Sequence, residues 1–160
     1  MIKQHGLRIG ELLVQAGVLS EAQVSEVLAT QRKTGRPFGD LAERLFDVPS
    51  EAVEDAWVEQ YLQFGTAVDL DTQHVDVEVL RVINRRQAWQ FKLLPMRYEA
   101  DELVMATTQE DFKRAVNFAW QKLSDPIYFV LSQRPQLEQF LQTHYPWPAM
   151  EQLDELAKAV

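Results

Sequence analysis

Apolar residues recur at two different spacings along this chain. Up to about residue 60 they return every three or four positions, the spacing of an amphipathic helix; beyond residue 66 such stretches alternate with short runs of branched and aromatic residues. In the first part, Gly10 and Gly17 enclose ELLVQA, which predicts a short apolar helix. Ser20 and Gln23 then form a capping box, in which each side chain satisfies an orphan backbone N–H of the first turn. Val24, Val27, Leu28 and Gln31 share one face of the helix that follows, and Gly35 and Pro37 stop it. Phe38–Gly39 opens a further short helix through Leu41, Leu45 and Phe46. Pro49–Ser50 opens a longer one carrying Val53, Ala56, Trp57 and Gln60.

The second helical pair repeats the first at an offset of 29 residues. The offset maps Gly10 onto Gly39, Leu12 onto Leu41, Val24 onto Val53 and Gln31 onto Gln60. These identities fall at the starts, cores and ends of equivalent helices, so two superposable helical hairpins are expected.

After residue 66 the pattern changes. GTAVDLD reads as a strand through Ala67 and Val68, and Val77 to Phe91 as a helix on Val79, Leu80, Ile83 and Trp89. KLLPMRY and ELVMATT form a hairpin turning at Glu99–Asp101. A helix from Asp111 to Leu123 precedes the strand IYFVLS, and a last helix runs from Arg134 to Tyr145. The expected fold is therefore α+β: a helical tandem repeat over 1–65, a small β-α-β-β-α-β-α sandwich over 66–145, and a tail over 146–160. Glycine supports the first boundary, because all six glycines precede residue 66.

Composition narrows the function. The chain has 160 residues, 46% of them hydrophobic, and a net charge of -8. It lacks the basic footprint of a general nucleic-acid binder. It has no cysteine, which removes disulfides, thiolate metal sites and cysteine nucleophiles. No glycine is followed by the Lys and Ser or Thr of a phosphate loop. Neither a leader segment nor a membrane span is read from the sequence, so a cytoplasmic protein is expected.

The remaining constellations carry little chemistry. His5, His74 and His144 are scattered, and no metal site is expected. Asp69, Asp71 and Asp76 read as a solvated strand end, and Glu99, Asp101 and Glu102 as a solvated acidic turn. Arg81, Arg85 and Arg86 read as cations near a helix end, where they complement the helix dipole. Trp89 and Trp120 lie at helical spacing and are expected in the core. No nucleophile–base or paired-carboxylate arrangement stands out, so no enzyme is expected.

The repeat and the hairpin nevertheless resemble a known family. Arg8-Ile9-Gly10, Leu13, Gly17, Val24, Leu28 and Gln31 are similar to the RLGxxLxxxG repeat, with its trailing leucines and glutamine, in the N-terminal domain of type II secretion and type IV pilus assembly ATPases. VDLD, FKLLPMRYEADELVMATTQ and IYFVLSQRPQLEQFLQTHY follow in the order of that family. The resemblance covers about residues 7 to 145 and implies a non-catalytic interaction or regulatory module, standing alone without the ATPase core, that docks a protein of a secretion or pilus system.

In one branch of that family the paired repeats bind cyclic di-GMP. By resemblance the candidate ligand residues here are Arg8, Gly10, Leu13, Gly17 and Gln31, with Gly39 and Gln60 from the second copy. The arginine suits a guanine edge or phosphate, the helix-start glycine a close backbone approach, and the glutamine a base edge. The second copy departs from the pattern: Pro37 stands at the arginine position, behind Arg36, and Phe46 at the second glycine. A separate docking strip is expected in the tail, where Trp147 lies between two prolines and Met150, Leu153 and Leu156 share a helical face.

Overall fold

The computed structural model describes residues 7–48 and 67–146. The helix read from Pro49, with Gln60, and the strip of Trp147, Met150, Leu153 and Leu156 lie outside the described residues.

The helices of the first part begin and end where their capping chemistry dictates. A two-residue strand β1 (Leu7–Arg8) runs directly into α1 (Ile9–Gln15). Gly17, at φ 75°, closes α1: its N–H donates to the carbonyl of Val14, and that of Val18 to Leu13. These bonds satisfy carbonyls that the helix leaves orphaned, and a left-handed residue makes them reachable. The Ser20–Gln23 box starts α2 (Glu21–Thr34), with both reciprocal bonds present at 3.2 and 2.9 Å, and Gly35 ends it at φ 68°.

Then α3 (Phe38–Phe46) begins 29 positions after α1, with a glycine second in each helix. Where Gly17 closes α1, Asp47 closes α3 in the left-handed region, at φ 58°. Aspartate tolerates that region better than most residues, which accounts for a helix that ends without a glycine.

The second part departs from expectation in three places. Ala67 makes one parallel bridge to Leu131, and the N–H of Val68 donates to the Leu131 carbonyl, but no strand continues. The Asp69 carboxylate accepts from the N–H of Asp71 at 3.0 Å and draws the chain into a 3₁₀ turn, Leu70–Thr72. Such a local bond competes directly with a sheet ladder.

The helix expected over Val77 to Phe91 is two pieces, a 3₁₀ turn Val77–Val82 and α4 (Arg85–Phe91). Asn84 caps α4 through a box with Gln87, and branched residues crowd the stretch before it. As a result Arg85 and Arg86 occupy the first two positions of α4, at the positive end of its dipole, which is the opposite of the placement read from the sequence.

The hairpin and the final βα unit form as expected. β2 (Leu94–Glu99) pairs antiparallel with β3 (Glu102–Thr107) around Ala100 at φ 54°, and the register shifts between Pro95 and Arg97. Proline cannot donate to a ladder, so its place beside an irregularity is the tolerated one. Next come α5 (Phe112–Lys122), β4 (Ile127–Leu131) and α6 (Arg134–His144). β3 and β4 are parallel, and β1 joins the far side of β4, so the sheet order is β1-β4-β3-β2.

All five residues of β4 are buried, as expected of a strand covered on both faces. Asp76 donates its N–H to the Met96 carbonyl at 2.6 Å, and the mostly buried Arg97 reaches the His74 carbonyl and the Gln73 side chain. Trp89 donates to the Tyr145 carbonyl, and the Tyr145 hydroxyl to that of Leu80. Trp120 is buried and Trp89 packs partly buried against the core, as their spacing suggested.

The helical layer meets α5 through aromatic packing. Phe38 lies 5.5 Å, centroid to centroid, from Trp120, whose indole covers Gly39. A methyl group on Gly39 would overlap that indole, and Trp120 is only 2% exposed, with little room to yield. Gly39→Ala is therefore expected to destabilise the protein by about 1–3 kcal/mol, the usual cost of overpacking a tight contact. Urea unfolding followed by circular dichroism measures it, and an unchanged midpoint would contradict the contact.

Candidate functional site

Three backbone arrangements converge on one cleft. β1 pairs with β4 so that Arg8 lies opposite Tyr128, and β4 pairs with β3 so that Tyr128 lies opposite Val104. Cross-strand partners share a sheet face, and so do residues two apart on one strand. Arg8, Tyr128, Val104 and Glu102 therefore project to the same side. α1 continues from Arg8, while α2 presents Val24, Leu28 and Arg32 at four-residue steps along one face.

These elements enclose a cavity of about 310 Å³. Ile9, Val24, Leu28, Phe38, Ala119 and Ile127 supply its apolar lining. Arg8, Glu11, Arg32, Asp101, Glu102 and Asp125 supply its charge, four carboxylates against two guanidinium groups. Gly10 forms part of the wall, and a methyl group there would come within 2.5 Å of a Val24 methyl.

Arg8 is the most heavily bonded group in the cleft. Its Nε and one Nη donate to the two carboxylate oxygens of Glu102, at 2.6 and 3.1 Å, and its other Nη donates to Glu11 at 2.8 Å. The guanidinium carbon stands 4.6 Å from the centroid of the Tyr128 ring, a cation–π contact. The hydrogen bond to Glu102 is the main cause that holds the Arg8 pKa above its ordinary value, against partial desolvation, which lowers it. Arg32 pairs with Asp101 at 2.7 Å, with both side chains exposed. Asp125 accepts from the Tyr98 hydroxyl at 2.9 Å.

The residues singled out in the sequence separate into two groups. Arg8 and Gly10 line the cleft, together with Val24 and Leu28 of the same motif. Leu13 is fully buried in the core, Gly17 closes α1, and Gly39 packs under Trp120. Gln31 is 2% exposed, and neither polar atom of its amide has a hydrogen-bond partner among the described residues.

Sequence reasoning missed Glu102, Asp101, Arg32 and Tyr128. The acidic turn is engaged in ion pairs, not simply solvated, and Arg8 and Glu102 lie 94 positions apart, where no local pattern can connect them. Among the described residues, no group of three or more histidine, aspartate or glutamate side chains converges as a metal site would require, and no helix is long and apolar enough to cross a membrane.

No protein-family model matches the chain. The type IV pilus assembly ATPase PilB of Thermus thermophilus is 28% identical over 144 residues, which is 89% of this chain and 16% of PilB. Two solved structures are also similar. A structure of MshE with cdg is 25% identical, covering 87% of this chain and 99% of that one, with a TM-score of 0.43. The N-terminal domain of XpsE is 19% identical, covering 86% and 94%, with a TM-score of 0.41. The resemblance to secretion and pilus assembly ATPases read from the sequence thus extends to a curated relative over most of the chain, although the chain spans about a sixth of that relative's length.

At the cleft's edge, partial desolvation, then the hydrogen bond to Asp125 and its charge, push the Tyr98 phenol up to about 12 from 10.0. A phenol whose folded pKa is raised favours the fold fully below pH 10, and that contribution is lost as pH climbs from 10 to 12. Burial raises the Tyr145 phenol as well. Tyr98→Phe should therefore flatten, without abolishing, the fall in stability over this window. Urea unfolding at stepped alkaline pH checks it, alongside phenolate absorbance, in which the Tyr98 titration should be missing from the variant.

Proposed function

We propose that this chain is a non-catalytic interaction or regulatory module of a type II secretion or type IV pilus assembly system. The observation that carries this reading is the 28% identity to a pilus assembly ATPase over nearly the whole chain, a match that takes in only 16% of that ATPase. The cleft supports it with apolar side chains, of which Val24 and Leu28 are only partly buried, beside charged ones, the mixture that a docking partner or regulatory ligand exploits. A photo-crosslinking residue placed at Tyr98, which is 45% exposed at the cleft's edge, tests the reading in living cells. Cross-links to components of a secretion or pilus machine are expected, and their absence, both from this position and from a second probe placed at Trp147 in the tail strip, would count against it.

A second reading is a cyclic di-GMP receptor, favoured by the meeting of Arg8, Gly10, Val24 and Leu28 in one cavity. At about 310 Å³ the cavity reaches the lower end of ligand-pocket sizes, roughly 300–1,000 Å³. A guanine edge or a phosphate would take the Arg8 guanidinium. In calorimetry with cyclic di-GMP, Arg8→Ala should weaken binding by about 1–3 kcal/mol, the worth of one bidentate contact. Absence of heat from the unaltered protein at high ligand concentration would remove this reading and leave the first intact.

A further inference from the structure

The turn between β2 and β3 and the start of α1 are joined through a single guanidinium. The edge of Arg8 formed by Nε and one Nη is the edge with which arginine grips a phosphate or a guanine in two parallel bonds. Here Glu102 already occupies it with both carboxylate oxygens, Glu11 takes the remaining Nη, and Tyr128 lies against the guanidinium. The contact is shielded, with the Arg8 side chain 26% and the Glu102 side chain 17% exposed. An anion arriving in the cleft therefore meets an arginine whose fork is satisfied, among carboxylates that outnumber the guanidinium groups.

We propose that Glu102 is the specificity-determining residue of this cleft. It is a built-in counter-anion that holds the Arg8 fork closed, and an anionic ligand seats only by displacing it. The inference rests on the cyclic di-GMP reading above and adds its regulation. Because Glu102 is the first residue of β3, its displacement releases the β2–β3 turn from β1 and α1, so occupancy of the cleft is converted into a change in how the two halves of the chain are tied. Glu102 acts on the ligand only through Arg8, by holding or releasing its fork.

The test is calorimetric titration of the full chain with cyclic di-GMP. Glu102→Gln keeps the shape of the side chain and removes the competing charge, and it should bind about tenfold more tightly than the unaltered protein, as expected from freeing one charge-assisted contact. Asp125→Asn removes the same charge from the same cleft without touching Arg8, and should gain only about twofold, a screened through-space effect. Binding by Glu102→Gln where the unaltered protein shows none would equally support the proposal.

Equal gains in the two variants would overturn it, because charge alone would then explain them. If the unaltered protein binds and Glu102→Gln binds no better, the role of Glu102 is overturned while the dinucleotide reading stands. If neither binds, both fall. Nuclear magnetic resonance of the unaltered protein supplies a readout independent of variant folding. The Arg8 Nε–H should exchange slowly with water, and the Glu102 carboxyl carbon should shift on saturation with cyclic di-GMP. A carboxyl signal that stays in place while ligand binds would overturn the displacement.

Discussion

Parallel pairing of β3 with β4 is the constraint from which the rest of the architecture follows. Two parallel neighbours cannot be joined by a tight turn, so the chain must leave the sheet and return, and α5 fills that excursion. α5 carries Phe112, Ala115, Val116, Phe118, Ala119 and Trp120 as buried residues, too many for one narrow seam. Phe112 packs edge-on against Phe129 of β4, while Trp120 meets Phe38 of the helical layer. The helix is thus a shared wall, with the sheet on one side and α3 packed onto the other.

The same pairing fixes where the cleft forms. Parallel strands begin at the same end of a sheet, so the turn leading into β3 and the loop leading into β4 must be neighbours. That end carries Asp101 and Glu102 on one side and Asp125 and Pro126 on the other. β1 meets β4 near its start, through Arg8 opposite Tyr128, and delivers the arginine to that acidic end. The mostly buried Glu102 carboxylate would be costly without a counterion, and the guanidinium offsets that cost. Arg8 is as much a requirement of the sheet's geometry as a candidate for ligand contact.

Local chemistry was legible in the sequence wherever it was complete within a few residues. The Ser20–Gln23 box, the Gly35 stop, the hairpin around Ala100 and the strand over Ile127–Leu131 all form as read. The misreadings arose where two local signals competed. Val77 to Phe91 has helical spacing, yet Asn84 offers a better helix start than continuation. Ala67 and Val68 have strand character, yet the Asp69 side chain bends the chain after a single bridge. The cleft was half legible. Arg8, Gly10, Val24 and Leu28 belong to a motif within one short segment, whereas Glu102 and Tyr128 reach Arg8 only through strand pairings between distant parts of the chain.

The contacts along the outer strands have a further consequence for how another molecule can engage this protein. On the β2 side, the N–H of Asp76 occupies the Met96 carbonyl, a backbone group that an added strand would need, and the Arg97 side chain holds the preceding segment in place. On the β4 side, β1 covers the start of the strand, and Ala67 and Val68 cover its end at Leu131. The Met96 carbonyl of β2 and the outer side of β4 are taken along these stretches, which disfavours augmentation by an incoming β-strand at those positions. At those positions an incoming molecule meets side-chain surfaces and recesses, and has the chemistry of particular residues to read in place of a free hydrogen-bond ladder.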